Sequence, residues 1–282
     1  MLRNYGIFGA EWANIEEKWI LSVFLTQMNY IDKLFGLENK TAIITGASRG
    51  LGQAAAIALN GAGANVILIG RDAAMLEETK SSLPDASKSM ILEADVTSDA
   101  ARKKVIAATM QDFGKIDILI NNAGIIRRNP AIEYTEKDWD DVIETNLSSV
   151  FHWSQDAAKE MIKSGGGKII NIASALSFSG GVNVVAYAAA KGGVAQLTKA
   201  FANEWAKHNI NVNAIAPGYF ETDATSALRK NPERSAQILS RIPAGRFGEP
   251  NELAGAFIFL ASAASDYMHG HILAVDGGFN SF

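Results

Sequence analysis

Three side chains in the middle of the sequence have the types and the spacing that proton transfer requires. Ser174 follows a predicted strand, Tyr187 comes 13 residues later near the start of a predicted helix, and Lys191 lies four residues beyond Tyr187. Side chains four residues apart share one face of a helix, so the amine of Lys191 is expected beside the phenol. Ser174 is expected at the carboxyl end of its strand, where open α/β sheets bind their ligands.

An ammonium beside a phenol makes that phenol a better base. Tyrosine has an ordinary pKa of about 10 and accepts protons poorly at neutral pH. A positive charge about 4 Å away, at an effective dielectric constant of about 20, favours the phenolate by roughly 4 kcal/mol, or about three pKa units. The pattern predicts that Tyr187 exchanges a proton with a substrate hydroxyl while Ser174 holds the substrate oxygen. A Tyr-x-x-x-Lys pair alone is usually structural, so the prediction depends on its surroundings.

A glycine-rich turn joins the first predicted strand to the helix after it. The turn reads Gly46-Ala47-Ser48-Arg49-Gly50-Leu51-Gly52. Glycines let the backbone turn tightly and approach a pyrophosphate, and the helix N-terminus offers free N–H groups and a partial positive charge. Because the turn lies in the first strand–helix unit, it predicts a dinucleotide site.

The residues after the second predicted strand favour NADP(H). An NAD site usually has Asp or Glu there, about 20 residues after the glycine turn, to bind the ribose 2′-hydroxyl. Here Gly70 is followed by Arg71, and Arg49 lies in the glycine turn. Two guanidinium groups suit a 2′-phosphate. Asp72 would restore a carboxylate if the position shifted by two residues, so NAD(H) stays possible.

Short apolar runs alternate with longer helical stretches along the chain. The predicted strands are 41–46, 65–70, 89–96, 116–124, 168–174, 210–218 and 272–278, and the predicted helices are 51–62, 99–113, 136–163, 187–208 and 250–263. Strands this continuously apolar are typical of a parallel sheet that is covered on both faces. The order predicts an α/β fold: a doubly wound (Rossmann) seven-stranded parallel sheet with helices on both faces, in a single domain.

Composition excludes several classes of function. The 282 residues carry a formal charge of −4 and include no cysteine, so disulfides, thiolate metal sites and cysteine nucleophiles are excluded. The mild negative charge argues against a nucleic-acid partner, and no apolar run reaches the ~18 residues of a membrane span. His269 and His271 flank Gly270 without nearby carboxylates, so no metal site is predicted. We expect a cytoplasmic protein without a membrane partner.

The first residues differ from the rest of the chain. Residues 1–27 combine three acidic residues and two tryptophans with one short apolar run, whereas Met28 precedes a segment that reads as a natural start. We interpret 1–36 as an N-terminal extension, in which 1–27 reflects a misassigned start or an added helix, and 37–282 as the Rossmann-fold domain.

Several motifs together resemble the short-chain dehydrogenase/reductase family over residues 37–282. They are TGASRGLG (45–52), Asp95-Val96, NNAG (121–124), Asn146, Ser174, YAAAK (187–191) and PGYFET (217–222). The resemblance implies an NAD(P)-dependent oxidoreductase, expected as a homotetramer, with hydride transfer between the nicotinamide and a secondary alcohol or ketone. It also implies a catalytic tetrad of Asn146, Ser174, Tyr187 and Lys191, in which Asn146 binds a water that links Lys191 to solvent.

The same resemblance assigns the cofactor-binding residues. They are Gly46, Ser48, Arg49, Gly50, Leu51, Gly52, Arg71, Asp95, Val96, Asn122, Ala123, Gly124, Tyr187, Lys191, Pro217, Gly218, Phe220 and Thr222. Asp95 and Val96 would border the adenine, residues 122–124 would line the adenosine ribose, and residues 217–222 would cover the nicotinamide.

Three further segments, 124–142, 168–181 and 203–222, resemble the sugar-acid dehydrogenases of this family. A 2-deoxy-gluconate, a 2-keto-3-deoxy-gluconate or a related deoxy-uronate is the expected substrate. Arg127 and Arg128 follow the fourth strand, where either guanidinium could bind a carboxylate with Ser174 beside it. Each could equally be a solvated charge or an internal ion-pair partner. Arg241 and Arg246, at the end of a predicted lid segment 219–245, are weaker candidates.

Two alternatives remain open at this point. One is an enzyme that reduces another carbonyl class, such as a 3-oxoacyl thioester, or a gluconate 5-dehydrogenase, since fold and tetrad do not determine the substrate. The other is a noncatalytic redox sensor that keeps the cofactor site.

Overall fold

The computed structural model describes residues 30–281, so residues 1–27 of the predicted N-terminal extension lie outside the described residues. Seven strands within this range form one parallel sheet in the order β3-β2-β1-β4-β5-β6-β7. They are β1 Thr41–Thr45, β2 Asn65–Gly70, β3 Ser89–Glu93, β4 Ile118–Asn121, β5 Gly167–Ile172, β6 Ile210–Pro217 and β7 Ile272–Val275. The predicted doubly wound sheet is confirmed.

Alternate residues of the central strands point into two separate cores. Ile43 of β1 pairs with Ile67 of β2, and both enter the core on one face of the sheet. Their neighbours Ile44 and Leu68 also pair, and both enter the core on the other face. All four side chains are fully buried. Burial on both faces explains why these strands are continuously apolar in sequence.

Helices cover both faces of the sheet. They are α1 Gly50–Gly61, α2 Ala73–Ser81, α3 Asp99–Phe113, α4 Glu136–Ile143, α5 Ser149–Ser164, α6 Val185–Trp205, α7 Asp223–Arg229, α8 Pro232–Leu239 and α9 Ala254–Ala261. Helices α1 and α9 contribute to the core on one face, and α3, α5 and α6 contribute to the core on the other. Within residues 30–281, no helix is both long and apolar enough to cross a membrane.

The structure departs from the sequence prediction at one place that matters for the site and adds detail at another. The predicted helix 136–163 is interrupted by a π turn, Glu144–Ser148, between α4 and α5. The predicted lid segment 219–245 contains two short helices, α7 and α8. Single π turns inside helices occur frequently at functional sites.

Candidate active site

The glycine turn after β1 is shaped by close backbone contacts. Gly46 has φ +66°, a conformation that favours glycine. A Cβ atom on Gly52 would lie 2.1 Å from the Gly46 carbonyl oxygen, so only glycine fits there. Arg49, the N-cap of α1, makes no capping hydrogen bond from its side chain. The first turn of α1 therefore keeps N–H groups that could bind a phosphate.

Thr45 at the end of β1 and the residues directly after β4 hold this turn in place. The Asn122 amide nitrogen Nδ2 donates hydrogen bonds to the carbonyl oxygens of Thr45 and Gly46, each at 3.0 Å. The backbone N–H groups of Asn122 and Ala123 donate to Thr45 Oγ1 at 3.0 and 3.1 Å. The NNAG motif thus connects the end of β4 to the glycine turn.

A buried threonine supports the turn from α2. Thr79 Oγ1 donates to the Ala47 carbonyl oxygen at 3.1 Å, and Gln53 Nε2 donates to Thr79 Oγ1 at 3.3 Å. Sequence reasoning did not single out Thr79, because one threonine in an unpredicted helix carries no motif. Its contact with the glycine turn is evident only from the folded structure.

A cleft of about 600 Å³ runs from the glycine turn to Tyr187, within the size range of small-molecule sites. Most of the predicted cofactor residues line it: Gly46, Ser48, Arg49, Leu51, Arg71, Asp95, Val96, Asn122, Ala123, Gly124, Tyr187, Lys191 and Thr222. Gly50, Gly52, Pro217, Gly218 and Phe220 do not line it. The lining also includes residues that were not predicted: Gly70, Ala94, Thr97, Ile125, Ile126, Asp141, Glu144, Thr145, Ile172, Asp223 and Ala224.

Residues 217–222 were predicted to cover the nicotinamide, and only part of this segment lines the cleft. Thr222 lines the cleft, and its Cγ2 would lie 3.3 Å from a Cβ atom on Gly50. The Phe220 side chain is instead buried in the core, with its ring against Gly248. The side chain of Phe220 is therefore a packing element.

Two arginines lie at the end of the cleft expected to hold the cofactor's adenosine. Arg71 faces Asp95 at 3.9 Å, and Arg49 pairs with Asp223 of α7 at 2.9 Å. Both guanidinium groups are largely solvent-exposed. The Asp72 carboxylate accepts a hydrogen bond from the Met75 N–H and caps α2. Because Asp72 serves as a cap, the arrangement favours a phosphate over a ribose hydroxyl at this end.

Asp95 and Val96 form the side wall after β3. The Thr97 N–H and hydroxyl groups both donate to Asp95 Oδ1, at 2.9 and 2.7 Å. These hydrogen bonds, with the charge of Arg71, hold the pKa of the Asp95 carboxyl below its ordinary value. The indole Nε1 of the buried Trp153 donates to the Val96 carbonyl oxygen at 3.0 Å. The wall is therefore rigid and carries a negative charge at neutral pH.

Ser174, Tyr187 and Lys191 come together beyond the end of β5. Ser174 is the N-cap of a short 3₁₀ turn, Ala175–Ser177, and its Oγ accepts a hydrogen bond from the Leu176 N–H at 3.1 Å. Lys191 Nζ lies 5.8 Å from the centroid of the Tyr187 ring. The Lys191 side chain is only 3% exposed, and its ammonium donates to the Ile172 carbonyl oxygen.

The direction of the tyrosine pKa differs from the prediction. Burial raises the pKa of Tyr187 above its ordinary value, although the Ser174 hydroxyl and the charge of Arg128 act in the opposite direction. Burial also lowers the pKa of Lys191 to about 8. The Tyr187 pKa is therefore shifted in the direction opposite to the one expected from a neighbouring Lys191 ammonium. The cost of burying a charged phenolate exceeds the opposing effects of the Ser174 hydroxyl and the Arg128 charge.

Asn146 lies in the π turn, fully buried. Its Oδ1 accepts the Ile125 N–H and its Nδ2 donates to the Ile125 carbonyl oxygen, both at 2.8 Å. The side chain thus fastens the π turn to the loop after β4. Its expected part in a water relay stays a prediction.

The two arginines after β4 have different surroundings. Arg127 lines the cofactor cleft and faces two carboxylates of α4, Asp138 at 3.4 Å and Asp141 at 4.0 Å. Arg128 donates to the Ala224 carbonyl oxygen of α7 at 3.0 Å, and its charge acts on Tyr187. The internal ion-pair alternative therefore holds for Arg127, whereas the charge of Arg128 is close enough to lower the pKa of Tyr187.

The weaker arginine candidates also differ from each other. Arg246 makes two hydrogen bonds to the Glu252 carboxylate, at 2.7 and 2.6 Å. Arg241 lies over the ring of Phe279, with its guanidinium carbon 4.4 Å from the ring centroid. The Arg246 guanidinium is therefore already paired with a carboxylate of this chain, Glu252.

The cleft fits a nicotinamide dinucleotide. The uncapped first turn of α1 offers backbone donors for a pyrophosphate. Arg49 and Arg71 provide positive charge at one end, and Tyr187 and Lys191 lie on the same cleft. This arrangement could bind a dinucleotide and place an acid–base group beside its reacting end.

Comparison with known proteins agrees with this geometry. The family model described as enoyl-(acyl carrier protein) reductase matches residues 46–280. A 2-dehydro-3-deoxy-D-gluconate 5-dehydrogenase of Dickeya dadantii (strain 3937) is 50% identical over 246 residues, which cover 86% of this chain and 96% of that protein.

Two solved structures share the fold over most of this chain. A provisionally named 2-deoxy-D-gluconate 3-dehydrogenase from Agrobacterium tumefaciens with bound NADP is 48% identical, with a TM-score of 0.82 over 88% of this chain and 99% of that chain. A gluconate 5-dehydrogenase from Burkholderia cenocepacia J2315 in complex with NADP and tartrate is 40% identical, with a TM-score of 0.85 over 89% and 99%. The chain belongs to the short-chain dehydrogenase/reductase family.

Proposed function

We propose that this chain is an NADP(H)-dependent oxidoreductase that converts a secondary alcohol of a sugar acid to a ketone and back. The substrate would be a 2-keto-3-deoxy-gluconate, a 2-deoxy-gluconate or a related deoxy-uronate. The observation that carries the proposal is the position of Tyr187. Its phenol shares the dinucleotide cleft with Lys191 and lies within the influence of Ser174 and Arg128.

The cofactor would be held by the glycine turn and by the residues that line the cleft. The 2′-phosphate would bind Arg49 and Arg71, displacing the exposed partners Asp223 and Asp95. When bound, NADP(H) supplies or accepts the hydride. NADP is bound in both solved relatives described above, which supports this choice of cofactor. NAD(H) remains a possible second cofactor.

Tyr187 would carry the proton. With its pKa raised by burial, the phenol is protonated at neutral pH and is ready to donate a proton to a ketone oxygen. In the oxidative direction it must first lose that proton, which the Ser174 hydroxyl and the charge of Arg128 favour. Ser174 Oγ accepts the Leu176 N–H, which leaves its one proton to donate. That proton stabilises the Tyr187 phenolate in the structure and would turn to the substrate oxygen once substrate is bound.

Lys191 and Asn146 would assist the proton exchange at Tyr187. The Lys191 ammonium is held by the Ile172 carbonyl, and its pKa of about 8 lets it change protonation state near physiological pH. Asn146 would fix the loop after β4 through Ile125 and form part of a relay to solvent. Both assignments follow from the family resemblance together with these contacts.

Arg128 would bind the substrate carboxylate. Its guanidinium reaches from the loop after β4 to the Ala224 carbonyl oxygen of α7, and its charge lowers the pKa of Tyr187. A guanidinium matches a carboxylate with two parallel hydrogen bonds. The relatives named for sugar-acid substrates support an acidic substrate. Arg127 is a weaker choice, since α4 already supplies it with two carboxylates.

The test is a panel of steady-state reactions with both cofactors. We expect the highest kcat/KM for a 2-keto-3-deoxy-sugar acid with NADP(H), and much less turnover of a 3-oxoacyl thioester. Higher kcat/KM for gluconate and 5-keto-gluconate would identify the gluconate 5-dehydrogenase alternative, which the Burkholderia relative favours. Higher turnover of the thioester would contradict the sugar-acid proposal. Cofactor binding without any turnover would indicate a redox sensor.

We further propose a homotetramer in the cytoplasm, with residues 37–282 as its catalytic domain. Partly exposed apolar side chains on α5 and α6, Ile162 and Val185, support an interface between subunits. A dissociable NADP(H) cofactor must be regenerated by other enzymes of the same compartment, which supports the cytoplasm. Light scattering of the purified protein and fractionation of cells test the two statements separately.

A further inference from the structure

Ser177 links the backbone of Ser174 to the helix that carries Tyr187 and Lys191. The Ser174 N–H donates to Ser177 Oγ at 3.1 Å, and Ser177 Oγ donates to the Lys191 carbonyl oxygen at 2.7 Å. The Ser177 N–H also donates to the Ser174 carbonyl oxygen at 2.8 Å. One hydroxyl therefore joins two residues of the proposed catalytic group.

We propose that Ser177 is a positioning residue, whose hydroxyl sets the distance and orientation of Ser174 relative to Tyr187. The inference rests on the proposed function, because positioning has a consequence only if Ser174 and Tyr187 act on a substrate.

The hydrogen bonds at Ser177 have a fixed direction. A hydroxyl carries one proton and can accept two more hydrogen bonds. Lys191 offers a carbonyl oxygen, which only accepts, and Ser174 offers an N–H, which only donates. The proton of Ser177 must therefore point toward α6 and its lone pairs toward Ser174. Alanine at this position would break both connections at once.

Loss of the Ser177 hydroxyl would affect the reaction by changing the position of Ser174. Ser174 Oγ is held by the Leu176 N–H within the same short turn, so the turn moves as a unit. Without Ser177 Oγ the turn would be tied to α6 less firmly, and the contact between the Ser174 hydroxyl and the Tyr187 phenol would weaken. That hydroxyl lowers the pKa of Tyr187. A weaker contact therefore moves the ionisation of Tyr187 to higher pH.

Ser177 does not line the cofactor cleft. Its replacement is therefore expected to leave the binding of NADP(H) unchanged, which separates a positioning effect from damage to the cofactor site. Ser265 is a matched control. Its buried hydroxyl also donates to backbone carbonyls, those of Leu260 and Ser262 at 3.1 and 3.2 Å. It lies beside Asn211 near the beginning of β6, at the opposite edge of the sheet from Ser174.

The experiment compares the wild type with Ser177→Ala, Ser177→Cys, Ser177→Thr and Ser265→Ala, each checked for folding by thermal unfolding. Cysteine nearly matches serine in shape but is a weak donor, whereas threonine keeps the hydroxyl. We expect Ser177→Ala and Ser177→Cys to lower kcat about tenfold and to shift the pH–rate profile for oxidation to higher pH. The Kd for NADPH should stay within twofold, and Ser177→Thr should keep kcat within threefold.

Wild-type turnover of the sugar-acid panel decides the proposed function before any variant is compared. A second readout needs no substrate: the absorbance titration of the Tyr187 phenol, taken as the difference between each protein and its Tyr187→Phe version. Wild-type kcat and an unshifted phenol titration in Ser177→Ala would overturn the inference. So would an equal loss of kcat in Ser265→Ala, since that result would mean general destabilisation.

Discussion

The buried ammonium of Lys191 donates a hydrogen bond to the backbone carbonyl of Ile172, the last residue of β5. This bond joins helix α6 to the end of the strand that leads to Ser174. It also keeps a titratable amine inside the protein, where burial lowers its pKa to about 8. An amine with that pKa makes the stability of the cofactor-free protein depend on pH.

We predict that the wild type becomes more stable relative to Lys191→Met between about pH 8 and pH 10. The Lys191 pKa is about 8 in the folded protein, against an ordinary value of 10.5. In that interval the unfolded chain binds more protons than the folded one, so the free energy of unfolding rises with pH. Over the whole interval between the two pKa values, the free energy of unfolding rises by at most about 3 kcal/mol. Urea unfolding at several pH values measures it, and parallel curves for the two proteins would contradict a depressed lysine pKa.

Arg128→Ala should weaken the recognition of acidic substrates. Loss of a guanidinium that binds a carboxylate is expected to lower kcat/KM for the sugar acid by about 30-fold or more. In the direction of ketone reduction, where the phenol starts protonated, the same variant should convert the analogue that carries a hydroxymethyl group in place of the carboxylate as well as the wild type does. Arg234→Ala is the control, because Arg234 lies on α8 and its guanidinium donates a hydrogen bond to the Gln237 side chain. Equal losses for the acid and the neutral analogue would show that Arg128 does not bind the carboxylate.

Removing Arg49 or Arg71 should change the choice of cofactor. Each guanidinium faces one exposed carboxylate, and a 2′-phosphate would compete for it. We expect Arg71→Ala to raise the KM for NADPH about tenfold and to change the KM for NADH by less than twofold, with Arg49→Ala acting in the same direction. The ratio of kcat/KM for the two cofactors is the measurement. An unchanged ratio in both variants would place the 2′-phosphate elsewhere.

Gly52→Ala should damage the cofactor site through backbone displacement. The added methyl would lie 2.1 Å from the Gly46 carbonyl oxygen, so the turn has to move, at a cost of about 2 kcal/mol or more. NADPH binding, measured by calorimetry, should be lost or greatly weakened. Gly255→Ala is the control, because nothing lies within 4 Å of a Cβ there. In α9 that change should stabilise the protein by about 0.5–1 kcal/mol. Normal NADPH affinity in Gly52→Ala would mean that the turn tolerates a side chain.

The sheet could be predicted from the sequence because its strands are buried on both faces. The apolar runs at 65–70 and 210–218 match β2 and β6 within a residue, whereas β4 ends at Asn121, three residues short of the predicted end. Helix α2 was not predicted, since its nine residues have no apolar periodicity. The π turn at Glu144–Ser148 was not predictable either, because hydrophobic periodicity does not resolve one additional residue per turn.

Many residues that line the cleft could be predicted from the sequence, whereas their electrostatics could not. The spacing of Tyr187 and Lys191 predicts that they share a helix face, and the structure places both on the cofactor cleft. The direction of the Tyr187 pKa could not be predicted, because it depends on how far burial outweighs a nearby charge. Nor could sequence alone separate Arg127 from Arg128, since the distinction comes from the carboxylates that α4 brings to Arg127.

The central claim is that the Tyr187 phenol carries the proton, and Tyr187→Phe tests it most directly. The variant keeps the ring and removes the hydroxyl, so the Kd for NADPH should change by less than threefold while kcat for the best sugar acid falls by about a thousandfold or more. Turnover within tenfold of the wild type, at unchanged NADPH affinity, would contradict the account.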